Sequence, residues 1–223
     1  MNGYEIYWIG FGDIHGDVMN IDRIPELSGA EGVIISGDLT THGDLDEAKR
    51  ILEAVRARNP KVYAQIGNMD SQQINAWLEQ EGVNIHAKGL KIANGVGLVG
   101  VGTSSPTPFN TPSEYPDTRL GEWLEAGYSQ LEAAENLLLV AHDPPRGTNA
   151  DVVGGGQHVG SEAVREFIER VRPQVCLTGH IHEARSADRL GDTIVINPGM
   201  LSRGGYAVIG LRDGKLTAEL KTA

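Results

Sequence analysis

Cysteine occurs once in the 223 residues, at Cys176, so no disulfide framework can form within the chain. Cys176 sits inside the apolar run Val175 to Leu177, where a small hydrophobic role is expected for it. No apolar stretch approaches the roughly 20 residues of a membrane-spanning helix. Neither a basic leader nor a cleavage-site pattern precedes the strand-like segment that begins at Tyr4. These absences predict a soluble, cytoplasmic protein with no membrane partner. Basic residues are also scarce, with 19 Lys and Arg against 30 Asp and Glu and a formal net charge of -11. A partner held by broad phosphate contacts, such as duplex DNA, needs a basic face that releases counterions, so no extended nucleic-acid surface is expected. Bound divalent cations could still create a small positive pocket.

Common catalytic signatures are missing as well. The chain has no G-x-x-x-x-G-K-[ST] loop for nucleoside triphosphates, no H-E-x-x-H zinc helix and no G-x-S-x-G nucleophile elbow. Gly97 to Gly102 is glycine-rich but leads into a Ser/Thr/Pro loop rather than a helix, which argues against a dinucleotide fingerprint.

What the chain does have is five apolar runs that each end at a metal-ligand residue. They are Tyr7 to Gly12 before Asp13, Val33 to Gly37 before Asp38, Val62 to Gly67 before Asn68, Leu137 to Ala141 before His142, and Val175 to Gly179 before His180. His15 and His182 add ligands to the first and last. Short apolar runs bounded by turn residues read as buried strands, and α/β sheets carry functional groups at the carboxyl ends of their strands. Seven ligand-type side chains should therefore share one rim. Gly12, Gly37, Gly67 and Gly179 directly precede ligands, where the absence of a Cβ lets the backbone turn sharply and approach an ion closely.

The length suits a single domain over residues 1–223, and no linker-like stretch divides it. Helical patterns at Ile21 to Leu27, Asp44 to Ala57 and Ser71 to Gln80 alternate with the first strands, the βαβ rhythm of a largely parallel sheet. Asp44 with Glu47 and Asp70 with Gln73 have capping-box spacing. A Pro/Thr/Ser-rich loop from Ser104 to Pro116 precedes a helix expected over Thr118 to Ala134, and Gly154 to Gly156 mark a loop before another over Ser161 to Val171. The C-terminal part reads as strands at Ser186 to Leu190, Thr193 to Ile196, Tyr206 to Leu211 and Leu216 to Leu220, with Asp213-Gly214 as a hairpin turn. These strands could supply a pairing edge, so an oligomer is conceivable.

Carboxylate, amide and imidazole ligands in this number suit two metals that share one bridging carboxylate and leave positions open for water and substrate. Asp38, alone at the end of its strand, is the natural bridge, and Asp13 and His15 can grip one ion together. Mixed N/O ligands without thiolate accept Mn, Fe, Zn, Co or Ni, and Mn is favoured as the activator in vitro.

The ordered motifs Asp13-Ile14-His15, Gly37-Asp38, Gly67-Asn68-Met69-Asp70, Ala141-His142-Asp143 and Gly179-His180-Ile181-His182 resemble the calcineurin-like metallophosphoesterases. The family pattern is D-x-H, G-D, G-N-H-[DE], a later H and G-H-x-H. The resemblance covers nearly the whole chain and implies an α/β fold, a four-layer α/β/β/α sandwich around a dinuclear centre. Carried over by motif, Asp13, His15, Asp38 and His182 would hold one metal, and Asp38, Asn68, His142 and His180 the other. His180-Ile181-His182 also begins like the H-x-H-x-D-H of metallo-β-lactamase-type hydrolases, but Ala184-Arg185 follows.

Met69 stands where that family usually has a histidine that aids the leaving group. A general acid is typically worth about 10²- to 10⁴-fold, so its loss should matter most with a poor leaving group. Members of the family with a residue other than histidine there tend towards phosphodiesters, so the resemblance implies diesters over monoesters. Asp70 then has no histidine to orient, and a helix-capping role is expected for it. His42 and His158 are the candidates for a substitute acid, and alternatively exposed or hydrogen-bonded loop residues. His86 is assigned no chemistry. Asn197-Pro198-Gly199 is first a turn, with Asn197 near the site by resemblance. The expected activity is hydrolysis of a small phosphate-ester substrate by a metal-bridging hydroxide, with Asp38 and Asn68 central to catalysis. The alternatives are a phosphomonoesterase and a metal-binding scaffold of the same fold with little turnover.

Overall fold

The computed structural model describes residues 3–223. In chain order the elements are β1 (Ile6–Phe11), β2 (Gly32–Ile35), α1 (Leu45–Arg56), β3 (Val62–Ala64), α2 (Gln72–Gln80), β4 (Lys88–Ala93) and β5 (Val96–Val101). They continue with α3 (Asp117–Tyr128), β6 (Asn136–Ala141), β7 (Val152–Val153), β8 (Gln157–His158), α4 (Glu162–Val171) and β9 (Val175–Leu177). The chain ends in β10 (Ser186–Leu190), β11 (Thr193–Asn197), β12 (Gly205–Arg212) and β13 (Lys215–Thr222).

The strands form one five-stranded sheet in the order β13-β12-β1-β2-β3, one six-stranded sheet in the order β10-β11-β9-β6-β5-β4, and the small β7-β8 ribbon. Within the large sheets β1, β2 and β3 run parallel, as do β5, β6, β9 and β11, while antiparallel strands flank both groups. The parallel rhythm read in the sequence is thus split between two mixed sheets.

Alternation along each apolar strand builds the layers, because successive side chains point to opposite faces. Ile9, Val33 and Ile35 meet Ile51, Leu52, Val55, Ile74 and Leu78 of α1 and α2. Their neighbours Trp8 and Ile34 face Leu98, Leu138, Val140 and Leu177 of the other sheet. On that sheet's far side Leu139, Ala141, Cys176 and Val195 pack on Leu120, Leu124, Val164 and Phe167 of α3 and α4. The result is the four-layer α/β/β/α sandwich, with Cys176 as a buried free thiol in the expected apolar role. No helix among the described residues is long and apolar enough to cross a membrane.

Helix starts follow local chemistry. The Asp44 side chain accepts the Glu47 N–H and caps α1, and Ser161 accepts the Val164 N–H to cap α4. Three expectations are corrected. Ile21 to Leu27 forms separate 3₁₀ turns at Ile21–Arg23 and Leu27–Gly29 rather than a helix, because Pro25 drives Ile24 into an extended conformation. α3 stops at Tyr128, short of Ala134, where Gln130 instead donates to Ala87 O and accepts the Gly89 N–H. α2 starts at Gln72 with Ser71 as its N-cap residue, so Asp70 does not cap it. Asp213 and Gly214 both have positive φ, as the hairpin turn requires.

His86 lies just before β4 and has a structural role. Its Nδ1 accepts the Gly102 N–H at 3.0 Å, and its ring meets Trp123 edge-on with centroids 4.5 Å apart. Burial, helped by the nearby Arg119 charge, pushes its pKa from 6.5 down to about 4. The unfolded chain therefore binds this proton more readily, and stability that is complete above pH 6.5 should be lost as pH falls through about 4. In urea unfolding of metal-free protein, His86→Asn, which keeps an acceptor but does not titrate, should show a shallower acid loss. An unchanged slope would remove His86 as its source.

Candidate metal centre

All seven candidate ligands lie on the rim formed by the carboxyl ends of β1, β2, β3, β6 and β9. The loops there are laced by backbone bonds: Asp13 N–H to Gly37 O at 3.1 Å, Ile14 N–H to Asp38 O at 2.8 Å, and Gly179 N–H to His142 O at 3.1 Å. Asp13, His15, Asp38 and His180 all have φ between 46° and 67°, the left-handed region that side chains other than Asn and Asp enter at a cost. Four left-handed residues on one rim, two of them histidines, show that the surrounding bonds dictate where these side chains point. Two glycines make the crowding feasible. A Cβ on Gly67 would lie 2.1 Å from Asp38 Oδ1, and one on Gly37, whose φ is 129°, would lie 2.5 Å from His142 Nδ1. The room freed by glycine is filled by neighbouring ligand side chains.

The side chains fall into two groups that meet at Asp38. One ligand atom from each of Asp13, His15, Asp38 and His182 lies within 4.8 Å of the other three. His15 Nε2 and His182 Nε2 approach to 3.0 Å, with His182 Nε2 3.4 Å from Asp13 Oδ1 and His15 Nε2 3.7 Å from Asp38 Oδ2. In the second group Asn68 Oδ1 is 3.0 Å from His142 Nε2 and 2.7 Å from His180 Nδ1, while His142 Nε2 is 3.4 Å from Asp38 Oδ2. One carboxylate oxygen thus faces both groups.

This constellation fits cations. Asp13 is buried, and its Oδ2 has no hydrogen-bond partner among the described residues, a carboxylate oxygen held out of water. His15 Nδ1 donates to Thr40 O at 3.2 Å and His142 Nδ1 to Ser36 O at 3.2 Å. Carbonyls only accept, so in each ring Nδ1 holds a proton and Nε2, the atom facing the shared space, is the one a metal would take in place of a proton. Donor–metal bonds of about 2.1 Å place ligand atoms roughly 3 to 4 Å apart, as these are.

The electrostatics agree. Burial raises the Asp38 carboxyl, but the charge and hydrogen bond of His142, the charge of His15 and the Met69 N–H outweigh it and hold the pKa at about 2. Burial lowers His142, yet Asp38, Asp13 and Asp70 raise it to about 9. His182 is raised by its bond to Asp13, whereas burial lowers His180. Asp13 stays below the usual range despite burial, mainly through His182 and His142. Anions that remain ionised in a buried site attract positive charge, as protons or metals.

The two proposed acids lie apart from this network. His42 is exposed in the loop after Asp38. His158 Nδ1 is 2.7 Å from Asp151 Oδ1, and the buried Asp151 carboxylate also accepts the N–H groups of Gly147, Thr148 and Gly160. Among the described residues, no hydrogen bond or ion pair joins either histidine to the seven ligand candidates. Asn197 is buried, and its Nδ2 ties together Ala150 O, Gly179 O and Ile181 O, steadying the segment that carries His180 and His182.

The supporting roles of several residues were not readable in the sequence. Asp70 accepts the N–H groups of Leu39, Thr40 and Gly67 and the Thr40 hydroxyl, bolting the Asp38 loop to the Asn68 turn. Burial and the Asp38 charge raise its pKa to about 6. Asp143 accepts the backbone and hydroxyl of Ser105. Thr111 Oγ1 accepts Asn68 Nδ2 at 2.9 Å. Each joins residues distant in sequence.

A two-sheet sandwich with carboxylates and imidazoles gathered on one rim defines an α/β protein with a candidate metal centre. Residues 86–220 match the metallophosphoesterase family of the calcineurin superfamily. The chain is also 34% identical over 196 residues to the uncharacterised protein MJ1162 of Methanocaldococcus jannaschii, covering 85% of this chain and 86% of that protein. The chain therefore belongs to the calcineurin superfamily of metallophosphoesterases. Among solved structures it is similar in fold to TT1561 of Thermus thermophilus, with a TM-score of 0.72, 20% identity, and 96% and 98% of the two chains covered. It is also similar to the 5'-nucleotidase of Candida albicans, with a TM-score of 0.56, 12% identity, and 97% and 51% of the respective chains covered.

Proposed function

We propose that this protein hydrolyses phosphate esters at a two-metal centre, with phosphodiesters preferred over monoesters. The observation that carries this reading is the shared position of Asp38, whose Oδ2 faces His15 on one side and His142 on the other. Asp13, His15, Asp38 and His182 would hold one ion and Asp38, Asn68, His142 and His180 the second. Mn²⁺ is the activator we favour, within a donor set that also suits Fe, Zn, Co and Ni. Bound there, two such ions acidify water and offset charge on the phosphoryl group.

The protein's own part is to fix these side chains through Thr40 O, Ser36 O and Asp70. Met69 is half-buried, and its backbone N–H donates to Asp38 Oδ1 at 2.8 Å, but its side chain has no proton to give. A monoester dianion gains most from a proton donor at the leaving oxygen, and a diester monoanion presents less charge to a site that lacks one. Diesters are the better match.

The test is turnover of a p-nitrophenyl phosphodiester and of the matching monoester by metal-stripped protein titrated with Mn²⁺. Metal-dependent turnover with at least a tenfold advantage in kcat/KM for the diester is expected. A monoester advantage would keep the enzyme and overturn the preference argued from Met69. Silence on both esters with Mn²⁺, and with Fe, Zn, Co or Ni in its place, would favour a metal-binding scaffold.

A further inference from the structure

The Asn68 amide has two ends of similar size and opposite polarity, and only the oxygen end can serve a cation. Left alone, such a group can turn either way at little cost. Here its environment is asymmetric. Asn68 Oδ1 faces His142 Nε2 and His180 Nδ1, and Asn68 Nδ2 donates to Thr111 Oγ1. A hydroxyl has a single proton, and that of Thr111 goes to Glu114 Oε1 at 2.6 Å. Toward Asn68 the hydroxyl therefore offers only lone pairs, which accept an amide N–H and would repel an amide oxygen.

Glu114 is equipped to keep that proton. Its carboxylate also accepts the Thr111 N–H at 2.8 Å, the Thr107 N–H at 3.0 Å and the Thr107 hydroxyl at 2.5 Å. These bonds outweigh burial and hold its pKa at about 2, so it stays an acceptor. The same loop is docked onto the Asn68 turn by Ser113, whose N–H donates to Asn68 O at 2.9 Å and whose hydroxyl donates to Asp70 O. The long Ser104 to Pro116 loop is thus bonded directly to the turn that carries Asn68.

We infer that Thr111, held by Glu114, is a positioning residue that fixes which end of the Asn68 amide faces the metal centre. This rests on the proposed role of Asn68 as a ligand. Direction of bonding passes along Asn68, Thr111 and Glu114, each donating to the next, and the last is an anion that cannot donate back. The polarity of the chain sets the Nδ2 end of the amide against Thr111.

Calorimetric titration of metal-stripped protein with Mn²⁺ tests this without relying on turnover. Thr111→Val keeps the shape and removes the lone pairs, and it should weaken Mn²⁺ binding about 10- to 100-fold, the usual effect of losing a partner behind a ligand. Thr111→Ser should restore it. Glu114→Gln, whose amide can donate to Thr111 and free its proton to turn, should fall between.

The decisive comparison uses Asn68→Asp, whose two oxygens are equivalent and need no orienting. Adding Thr111→Val to that variant should change affinity less than about threefold, since distinct local effects then no longer couple. An equal loss in both backgrounds would mean that Thr111 merely holds the loop, and would overturn the inference. So would unaltered binding by Thr111→Val and Glu114→Gln in a protein whose unsubstituted form binds Mn²⁺. Absence of binding by the unsubstituted protein would overturn the ligand reading itself, and this inference with it.

Discussion

Asp38→Asn should remove tight binding of one of two metal ions and with it essentially all metal-dependent turnover. Asp38 Oδ2 lies 3.7 Å from His15 Nε2 and 3.4 Å from His142 Nε2, so one oxygen serves both groups of ligands. Even unit charges about 4 Å apart repel by roughly 4 kcal/mol at an effective dielectric of about 20, and divalent ions by several times that. An anion between them offsets this repulsion, whereas a neutral amide leaves it in place. A loss of at least about 10³-fold in affinity for the second ion follows, since about 1.4 kcal/mol is tenfold in a binding constant. The amide oxygen can still accept the Met69 N–H that Asp38 Oδ1 accepts now, so the loop need not rearrange.

Metal content by mass spectrometry after dialysis against Mn²⁺, with turnover of the diester in parallel, reads both effects. The unsubstituted protein should hold two ions and the variant one or none. Unfolding of the metal-free forms separates a local from a global cause: similar midpoints with different metal content assign the loss to the centre. A variant that keeps both ions and turns over would show that Asp38 is not shared.

The rim was legible because Asp13, Asp38, Asn68, His142 and His180 each lie within four residues of the end of an apolar strand, and strands buried on both faces read as continuous apolar runs such as Val33 to Ile35 and Leu138 to Ala141. The motifs around Asp13, Asp38, Asn68, His142 and His180 then needed only a common end of two sheets. That the strands divide into two mixed sheets was not visible in their pattern. Trp8 and Ile9 are both fully buried, and nothing local says that one faces the opposite sheet and the other the helices. Failures at Ile24 and Gln130 have a different origin. Pro25 decided the first against the apolar periodicity, and at Gln130 bonds to Ala87 and Gly89 ended a helix that local propensity would continue.

The supporting bonds were hidden for a simpler reason. Thr111 meets Asn68 across 43 positions, and Asp143 meets Ser105 across 38, separations with no periodic trace. Asp70 was misleading as well as hidden. Its spacing to Gln73 is that of a capping residue, yet its carboxylate turns to the Asp38 loop and leaves Ser71 at the helix N-cap. Sequence spacing describes what a local bond could satisfy, while the carboxylate went where buried N–H groups had no other partner.

That difference sets the second large effect, on stability. Asp70→Ala should destabilise the metal-free protein by about 3 to 6 kcal/mol. The substitution orphans the N–H groups of Leu39, Thr40 and Gly67 at a fully buried position. Each unsatisfied buried donor costs about 1 to 3 kcal/mol, and a water entering the polar space left by the carboxylate recovers part of the total. In a domain of this size about 1 kcal/mol lowers Tm by roughly 2 to 4 °C, so a drop of roughly 6 to 24 °C is expected. Asp44→Ala is the matched comparison, because Asp44 does cap its helix through the Glu47 N–H. Loss of a cap costs typically about 1 kcal/mol, so the two aspartates, alike in sequence spacing, should separate clearly in urea unfolding. Equal losses near the smaller figure would mean that Asp70 contributes no more than a cap. The larger loss for Asp70 would establish that the loops bearing Asp38 and Asn68 are held in register by a buried carboxylate before any metal binds.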